Sequence, residues 1–276
     1  MAFIESEKSV CILIEASNIS YSIKGKVLLD KVNISIPNGK IVGLAGINGA
    51  GKSTLLKVLI GQLEHYRGTV KYDQTDLKQL NITQLAGLRA VLPQEVKATF
   101  PVIAKDIIEL GRMFFNEEET VKQGIINQVI EEVKANNFIH QYYDSLSGGE
   151  KQRIQLARVL SQIWLGENCR YLFLDEPISS LDIALQHEIL RMLNKVKQRN
   201  IGVLIVLHDI NLLLQYCDEI CFLKNGEVIT QDTPEIVANE KLLSNIYNFP
   251  MSIHELNGKP YLLPKSTNQF IEPKNI

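Results

Sequence analysis

Apolar and polar positions alternate early in the chain. Val32, Ile34 and Ile36 are separated by Asn33 and Ser35, the period of a half-buried strand. The first 45 residues predict a set of short strands of this kind. "PNG" at 37–39 then turns the chain into "KIVGLAG" at 40–46, a mostly apolar run. Three further runs share its character: "RAVLPQ" at 89–94, "YLFLDE" at 171–176 and "GVLIVLHD" at 202–209. Strands buried on both faces of a parallel sheet read this way, with function at their C-terminal ends. Between them the period changes. "KSTLLKVLI" at 52–60 predicts a helix ending at Gly61, and 183–198 predicts another with Ile189, Met192, Leu193 and Val196 on one face. "EICFLKNGEVIT" at 219–230 sets Asn225-Gly226 between two apolar stretches, a hairpin signal.

Residues 95–165 follow a different pattern. Val121, Ile125, Val129 and Val133 recur at helical spacing, Asn116 stands where a cap would, and Glu117 to Glu119 suit a positive helix N-terminus. A second helix is expected from Gly148 to about Ile163. The simplest organisation is an α/β domain over 11–265. Residues 11–94 and 166–249 would form its core and antiparallel strands, with a helical insertion at 95–165. The last residues, 250–276, with "NGKPYLLP" at 257–264, predict a short hairpin or an extended arm.

The chemistry begins where "KIVGLAG" ends. Gly46, Asn48, Gly49, Ala50, Gly51, Lys52 and Ser53 lie in the stretch "GINGAGKST" at 46–54, which fulfils the phosphate-loop pattern between a strand and a helix. Glycines let successive backbone N–H groups converge on phosphate, and the following helix adds its positive end. Lys52 is expected on the β- and γ-phosphates and the Ser53 hydroxyl on Mg²⁺. Asp175 and Glu176 put two carboxylates at a strand tip. Asp175 suits Mg²⁺, and Glu176 suits polarising the water that attacks the γ-phosphate. Taken alone, an acidic pair before Pro177 equally serves as a helix cap; beside a phosphate loop the catalytic reading gains. Gln94 and His208 end two other apolar runs and are candidates to approach the γ-phosphate or its water. Ser147, Gly148 and Gly149, within "LSGGE" at 146–150, precede a helix and form a second anion-binding terminus. Since one chain already holds a nucleotide cradle, the second makes sense if it closes on the nucleotide of another copy.

Composition narrows the class. With 45% apolar residues in 276, the chain can bury a large core, and 29 basic against 31 acidic residues give no global attraction to nucleic acid. The cysteines at 11, 169, 217 and 221 form no paired framework, so reduced thiols are expected. Glu5 and Glu7 stand where a signal peptide would be positive, and the longest apolar run, Val203 to Leu207, is far short of the ~18 residues of a membrane span. Any membrane role would come through a partner.

Phosphate loop, Gln94, "LSGGE", "FLDEP" at 173–177, "SSLD" at 179–182 and His208 occur in the order and rough spacing of ATP-binding-cassette (ABC) ATPases. The resemblance spans about residue 12 to 264. It implies a P-loop NTPase cassette that binds ATP and Mg²⁺, pairs with a second copy around two ATP molecules, and opens on hydrolysis. It implies that Tyr21 stacks on adenine, that Thr54 joins the phosphate loop, that Gln94 reaches the metal, that Ser147 and Gly149 contact the partner's γ-phosphate, and that Asp182 lies at the dimer contact. Ile178 departs from the pattern, where Thr is common.

Within the family, "VLPQ" followed by "FPVIAKDIIELGR", "LDIALQHEIL" and "VLHDINLLLQYCDEICFLKNGEV" resemble the ATPase subunits of bacterial importers for iron chelates, vitamin B12 and haem. "RAVLPQ", Phe100-Pro101, "LARVLSQIW" with the following "RYLFLDEP", and Gln186-His187 resemble the haem importers in particular, which implies a permease partner, a substrate-binding protein met indirectly, and a place on the cytoplasmic face of the inner membrane. Direct haem ligation by Cys217, Cys221 or the histidines is not expected. A ferric siderophore or vitamin B12 importer is the alternative within transport, and a non-transport cassette acting on nucleic acid or ribosomes the alternative outside it. Phe100, Pro101, Val102 and Ile103, just after Gln94, are expected either to dock a cytoplasmic helix of the permease or to pack within the insertion.

Overall fold

The computed structural model describes residues 13–94, 101–164 and 170–265. The described residues begin with two long antiparallel strands, β1 (Leu13–Ile23) and β2 (Lys26–Pro37), and then enter β3 (Ile41–Ala45) and α1 (Lys52–Leu59). The expected short strands are thus two strands of 11 and 12 residues. Their pairing is interrupted by register shifts, and Asn18 and Lys31 turn left-handed. The side chain of Asn33 accepts the Asn18 amide at 2.9 Å across the irregularity. Bulges of this kind break the two-residue period and make one strand read as several.

β4 (Arg67–Tyr72) and the two-residue β5 (Thr75–Asp76) complete an antiparallel sheet in the order β2-β1-β4-β5. Next come α2 (Ile82–Leu88), β6 (Arg89–Leu92), α3 (Ala104–Glu109), α4 (Glu119–Glu132), α5 (Gly148–Ile163), β7 (Arg170–Asp175), α6 (Ile183–Lys197), β8 (Ile201–Val206), α7 (Ile210–Tyr216), β9 (Glu219–Lys224) and β10 (Glu227–Asp232). The main sheet runs β10-β9-β3-β8-β7-β6, parallel except for β10. Its faces explain the unbroken apolar runs. Leu172 and Leu174 join one core with the helices; Tyr171 and Phe173 join the other, with α1 and the antiparallel sheet. Both faces are covered, so β8 is buried at every residue.

The helical segments between β6 and β7 match the expected insertion, with two corrections. Asn116 does not cap α4; the helix starts at Glu119 after Glu118, with no side-chain cap. The chain before it is held instead by Arg112, 4% exposed, which grips Glu117 with Nε (2.8 Å) and Nη2, donates to the Ser161 carbonyl at 2.7 Å and stacks on Phe115. A buried, bidentate ion pair outcompetes a single neutral cap. Val121 is not on the buried face either. It is 47% exposed, while Ile125, Ile126, Val129, Ile130 and Val133 are buried.

Phe100 lies outside the described residues. Pro101 and Ile103 are exposed, but Val102 packs against the core and its carbonyl accepts the Tyr143 amide at 2.8 Å. The apolar edge is therefore split, one part core and one part surface. After β10 come α8 (Pro234–Val237), α9 (Glu240–Tyr247) and a hairpin of β11 (Met251–Leu256) and β12 (Lys259–Pro264). Of the two alternatives for the C-terminal segment, the hairpin is the one observed, turning at Asn257-Gly258 with positive φ at both. No helix among the described residues is long and apolar enough to cross a membrane.

Candidate nucleotide site

The tips of β3, β6, β7 and β8 converge on one end of the main sheet, and each delivers predicted residues there. β3 leads into the phosphate loop, which is held from below. The Gly226 amide in the β9–β10 turn donates to the Ala50 carbonyl at 3.0 Å, and the Asp30 amide donates to the Gly226 carbonyl at 2.8 Å. Gly46 has φ 143°, and a Cβ there would lie 2.1 Å from the Leu223 carbonyl oxygen; Gly51 has φ 108°, and a Cβ would meet the Leu28 oxygen at 2.7 Å. No side chain fits at either position. Asn48 and Gly49 stand exposed at the loop tip, Ala50 is buried, and Ser53 and Thr54 open α1.

Lys52 is buried and folds back over its own loop, donating to the carbonyls of Gly46 (2.7 Å) and Ile47 (3.1 Å). Burial holds its ammonium below the usual lysine value, against the pull of Glu176 and Asp175. A desolvated cation with two weak backbone acceptors is ready for a stronger anionic partner. Tyr21, half-buried on β1, pairs with Leu29 beside the Leu28 carbonyl that closes on Gly51.

Glu176 sits just past β7 with φ 51°, a left-handed conformation uncommon for a residue with a side chain. Its amide donates to the Val206 carbonyl at 3.2 Å. The carboxylate lies between two groups from neighbouring strand tips. Gln94 Nε2 donates to Oε2 at 2.9 Å, and His208 Nε2 lies 2.6 Å from Oε1. Backbone strain at such a position is held by the surrounding contacts. Asp175 is different: its Oδ1 is buried and has no hydrogen-bond partner. Burial first, and then Glu176, push its carboxyl above the ordinary aspartate value. An orphaned carboxylate oxygen beside a phosphate cradle fits a hard cation. Among the described residues no three His, Cys, Asp or Glu form a metal cage, so such a cation would complete its shell from Ser53, phosphate and water.

Ser147 caps α5 in a reciprocal box: its Oγ accepts the Glu150 amide at 3.4 Å, while Glu150 Oε2 accepts the Ser147 amide at 2.8 Å and its hydroxyl at 2.7 Å. These bonds hold Glu150 below the usual glutamate value. Ser147 and Gly148 are exposed; Gly149 packs against α6, where a Cβ would lie 2.6 Å from Leu185 Cδ2. Asp182 caps α6, accepting the Leu185 amide at 3.0 Å. Within one chain, then, Ser147 is engaged with its own helix start, while Gln94, Asp175, Glu176 and His208 converge.

Three residues escaped sequence reasoning. Glu150 was legible, because Ser followed three residues later by Glu is a capping-box signature. Gly226 under the phosphate loop and Gln152, whose amide donates to the Pro177 carbonyl at 2.6 Å, make long-range contacts that leave no local signal. Ile178, the departure from the family pattern, is 4% exposed and belongs to the core. Cys217 and Cys221 are buried, and burial pushes the Cys221 thiol up to about 12. Cys11 and Cys169 lie outside the described residues.

Because the Asp175 carboxyl is raised, the folded chain keeps a proton that the unfolded chain releases. Stability therefore falls as pH rises from the ordinary aspartate range through the raised value, and the deficit persists at neutral pH. Asp175→Asn is expected to raise the thermal midpoint of the nucleotide-free protein at pH 7 and to flatten its acid-side pH dependence. Unfolding curves across pH check this; an unchanged midpoint and pH profile would contradict it.

The ABC transporter family profile matches residues 29–179. The chain is 36% identical over 260 residues to the hemin import ATP-binding protein HmuV of Chelativorans sp., covering 92% of this chain and 99% of that protein. It is 35% identical to HmuV of Hahella chejuensis (91% and 99% covered) and 34% identical to HmuV of Bartonella henselae (94% and 100%). An ATP-binding subunit of an ABC transporter shares the fold at TM-score 0.74 with 23% identity, covering 86% of this chain and 98% of that one. A metal-chelate type ABC transporter in an inward-facing conformation shares it at TM-score 0.76 with 22% identity, covering 92% and 97%. The converging strand tips, the phosphate loop and these matches have one explanation: the chain belongs to the ABC transporter family, as an ATP-binding subunit.

Proposed function

We propose that this chain hydrolyses ATP to drive uptake of haem through a membrane permease. The observation that carries the chemistry is Glu176, held between Gln94 and His208 beside the Lys52 loop. In this reading Glu176 orients the attacking water, His208 and Gln94 fix Glu176 and sense the γ-phosphate, and Lys52 with the loop amides holds the β- and γ-phosphates. Mg²⁺ would be held by Ser53 and Asp175, with Gln94 reaching it when nucleotide binds; it would offset phosphate charge. Tyr21 would stack on adenine. The functional division we adopt is a core of 11–94 and 166–249, a helical part of 95–165 and an arm of 250–276.

Two copies would enclose two ATP molecules. What supports this is Ser147, exposed at a helix start and, among the described residues, bonded within its own segment, together with the exposed Gly148 and Asp182. No helix among the described residues is long and apolar enough to cross a membrane, so an importer subunit of this kind would need a permease as partner, and the chain would sit at the cytoplasmic face of the cell membrane through it. Support for docking comes from the helical part, where Ile103, Leu110, Met113, Phe114 and Tyr142 are exposed. Contact with a substrate-binding protein would be indirect. Haem is favoured as substrate because relatives alike over nearly their whole length carry that name. A ferric siderophore or vitamin B12 is the second reading, resting on the metal-chelate type transporter of the same fold.

Mixed dimers test the shared site. Ser147→Arg should spare ATP binding and block hydrolysis, and Lys52→Ala should weaken binding itself. Mixing the two gives dimers in which one composite site carries both lesions and the other neither. Partial recovery of ATPase activity is expected; full activity in a demonstrably monomeric Ser147→Arg chain would contradict the shared site. For the substrate, the chain reconstituted with its permease and binding protein in proteoliposomes should accumulate haem in an ATP-dependent way. Uptake of ferric siderophore or vitamin B12 in preference to haem would replace the substrate assignment.

A further inference from the structure

The hairpin β11–β12 pairs with no other strand among the described residues, yet it is firmly attached to α7. Asn211, in the first turn of α7, uses its side-chain amide as a strand edge would. Nδ2 donates to the Leu262 carbonyl at 3.1 Å, and Oδ1 accepts the Leu262 amide at 2.8 Å. Leu262 is 5% exposed and belongs to the main core, so this anchor does not drift. At the other end of α7, Lys259 Nζ donates to the Gln215 carbonyl at 2.6 Å. The helix is gripped by the hairpin in its first and last turns.

What α7 carries at its start is His208. Asp209 caps the helix, accepting the amides of Asn211 (2.8 Å) and Leu212 (3.4 Å), and His208 directly precedes it. The His208 side chain is half-exposed, so packing alone does not wall it in against Glu176. Its position follows from the backbone of 207–211. A seven-residue helix has little stability of its own, and its placement depends on what holds it. Asn211 joins both holds, since its main-chain amide engages the Asp209 cap and its side chain engages β12.

We infer that Asn211 is a positioning residue for ATP hydrolysis and that the C-terminal hairpin is the brace that keeps His208 against Glu176. This rests on the roles proposed above for His208 and Glu176. Asn211 spends its side chain on the Leu262 backbone and acts through the 2.6 Å contact of His208. A misplacement of about 1 Å at a reacting centre can cost on the order of a hundred-fold in rate, so a loosened brace reads out as turnover and not as nucleotide affinity.

The test compares Asn211→Leu, Asn211→Asp, His208→Ala, the Asn211→Leu/His208→Ala double variant and Lys265→Met in the full chain assembled with its permease. Lys265 ties the hairpin region to Glu240 of α9, not to α7, and its variant should keep wild-type turnover. Asn211→Leu should lose roughly ten-fold or more in kcat, within the hundred-fold range above, with KM and ATP affinity unchanged. Asn211→Asp, which retains an acceptor for the Leu262 amide, should recover part of the loss. The double variant should be no slower than His208→Ala, because a residue acting through His208 has nothing left to position. Wild-type kcat in Asn211→Leu beside a slow His208→Ala overturns the brace alone, as do losses that multiply in the double variant. Full turnover in His208→Ala overturns the role of His208 and the brace with it. Should Asn211→Leu fail to fold, Asn211→Asp carries the same comparison with His208→Ala.

Discussion

One carboxylate organises this molecule. Glu176 stands at the tip of a buried strand, in a left-handed conformation, with Gln94 on one oxygen and His208 against the other. Three strands must end in the same plane for this to occur, and parallel neighbours β6, β7 and β8 deliver it through their register. The parallel sheet requires apolar cover on both faces. The antiparallel sheet with α1 supplies one cover, and α6, α7 and the helical insertion supply the other. The rest of the fold follows from keeping those three tips aligned.

Beside the carboxylate, the phosphate loop solves the opposite problem, concentrating positive character. Lys52 is desolvated over its loop and α1 points its N-terminus the same way. Asp175 is half-buried, with one buried oxygen that no protein group satisfies. Each of these states is costly when the chain is alone, and in the proposed reading each would be relieved by a nucleotide with its cation. Binding energy is thereby built into the site before any ligand arrives. The second anion-seeking element, at Ser147, is instead satisfied internally by Glu150 and is exposed; in the proposed reading this surface would meet another copy.

Much of this was legible in the sequence. The four apolar runs became β3, β6, β7 and β8 because a strand buried on both faces has no polar side to show. The phosphate loop, the acidic pair, the Asn225-Gly226 hairpin and the helix at 148–163 all carry local signals strong enough to survive without context. Gln94, Glu176 and His208 stand out in the sequence as strand-end residues, but their meeting at Glu176 does not, since those contacts join positions 82 and 32 residues apart through sheet order alone. Asn116 misled because a good cap residue was available and a buried Arg112–Glu117 pair took the decision instead. Val121 misled because the apolar stripe of α4 is offset toward Ile126 and Ile130. The bulges of β1 and β2 hid two long strands behind a broken alternation, and the grip of Asn211 on Leu262 spans 51 residues with no motif to announce it.

The central claim is that Glu176 orients the attacking water while the loop around Lys52 binds the nucleotide, so the two tasks are separable. Glu176→Gln keeps the shape and the cradle and removes only the charge. Measured side by side for this variant and the native chain, equilibrium ATP affinity should be unchanged. Turnover should fall by roughly a hundred-fold or more, with the ATP-bound dimer accumulating. Turnover at the native rate in Glu176→Gln would contradict the account.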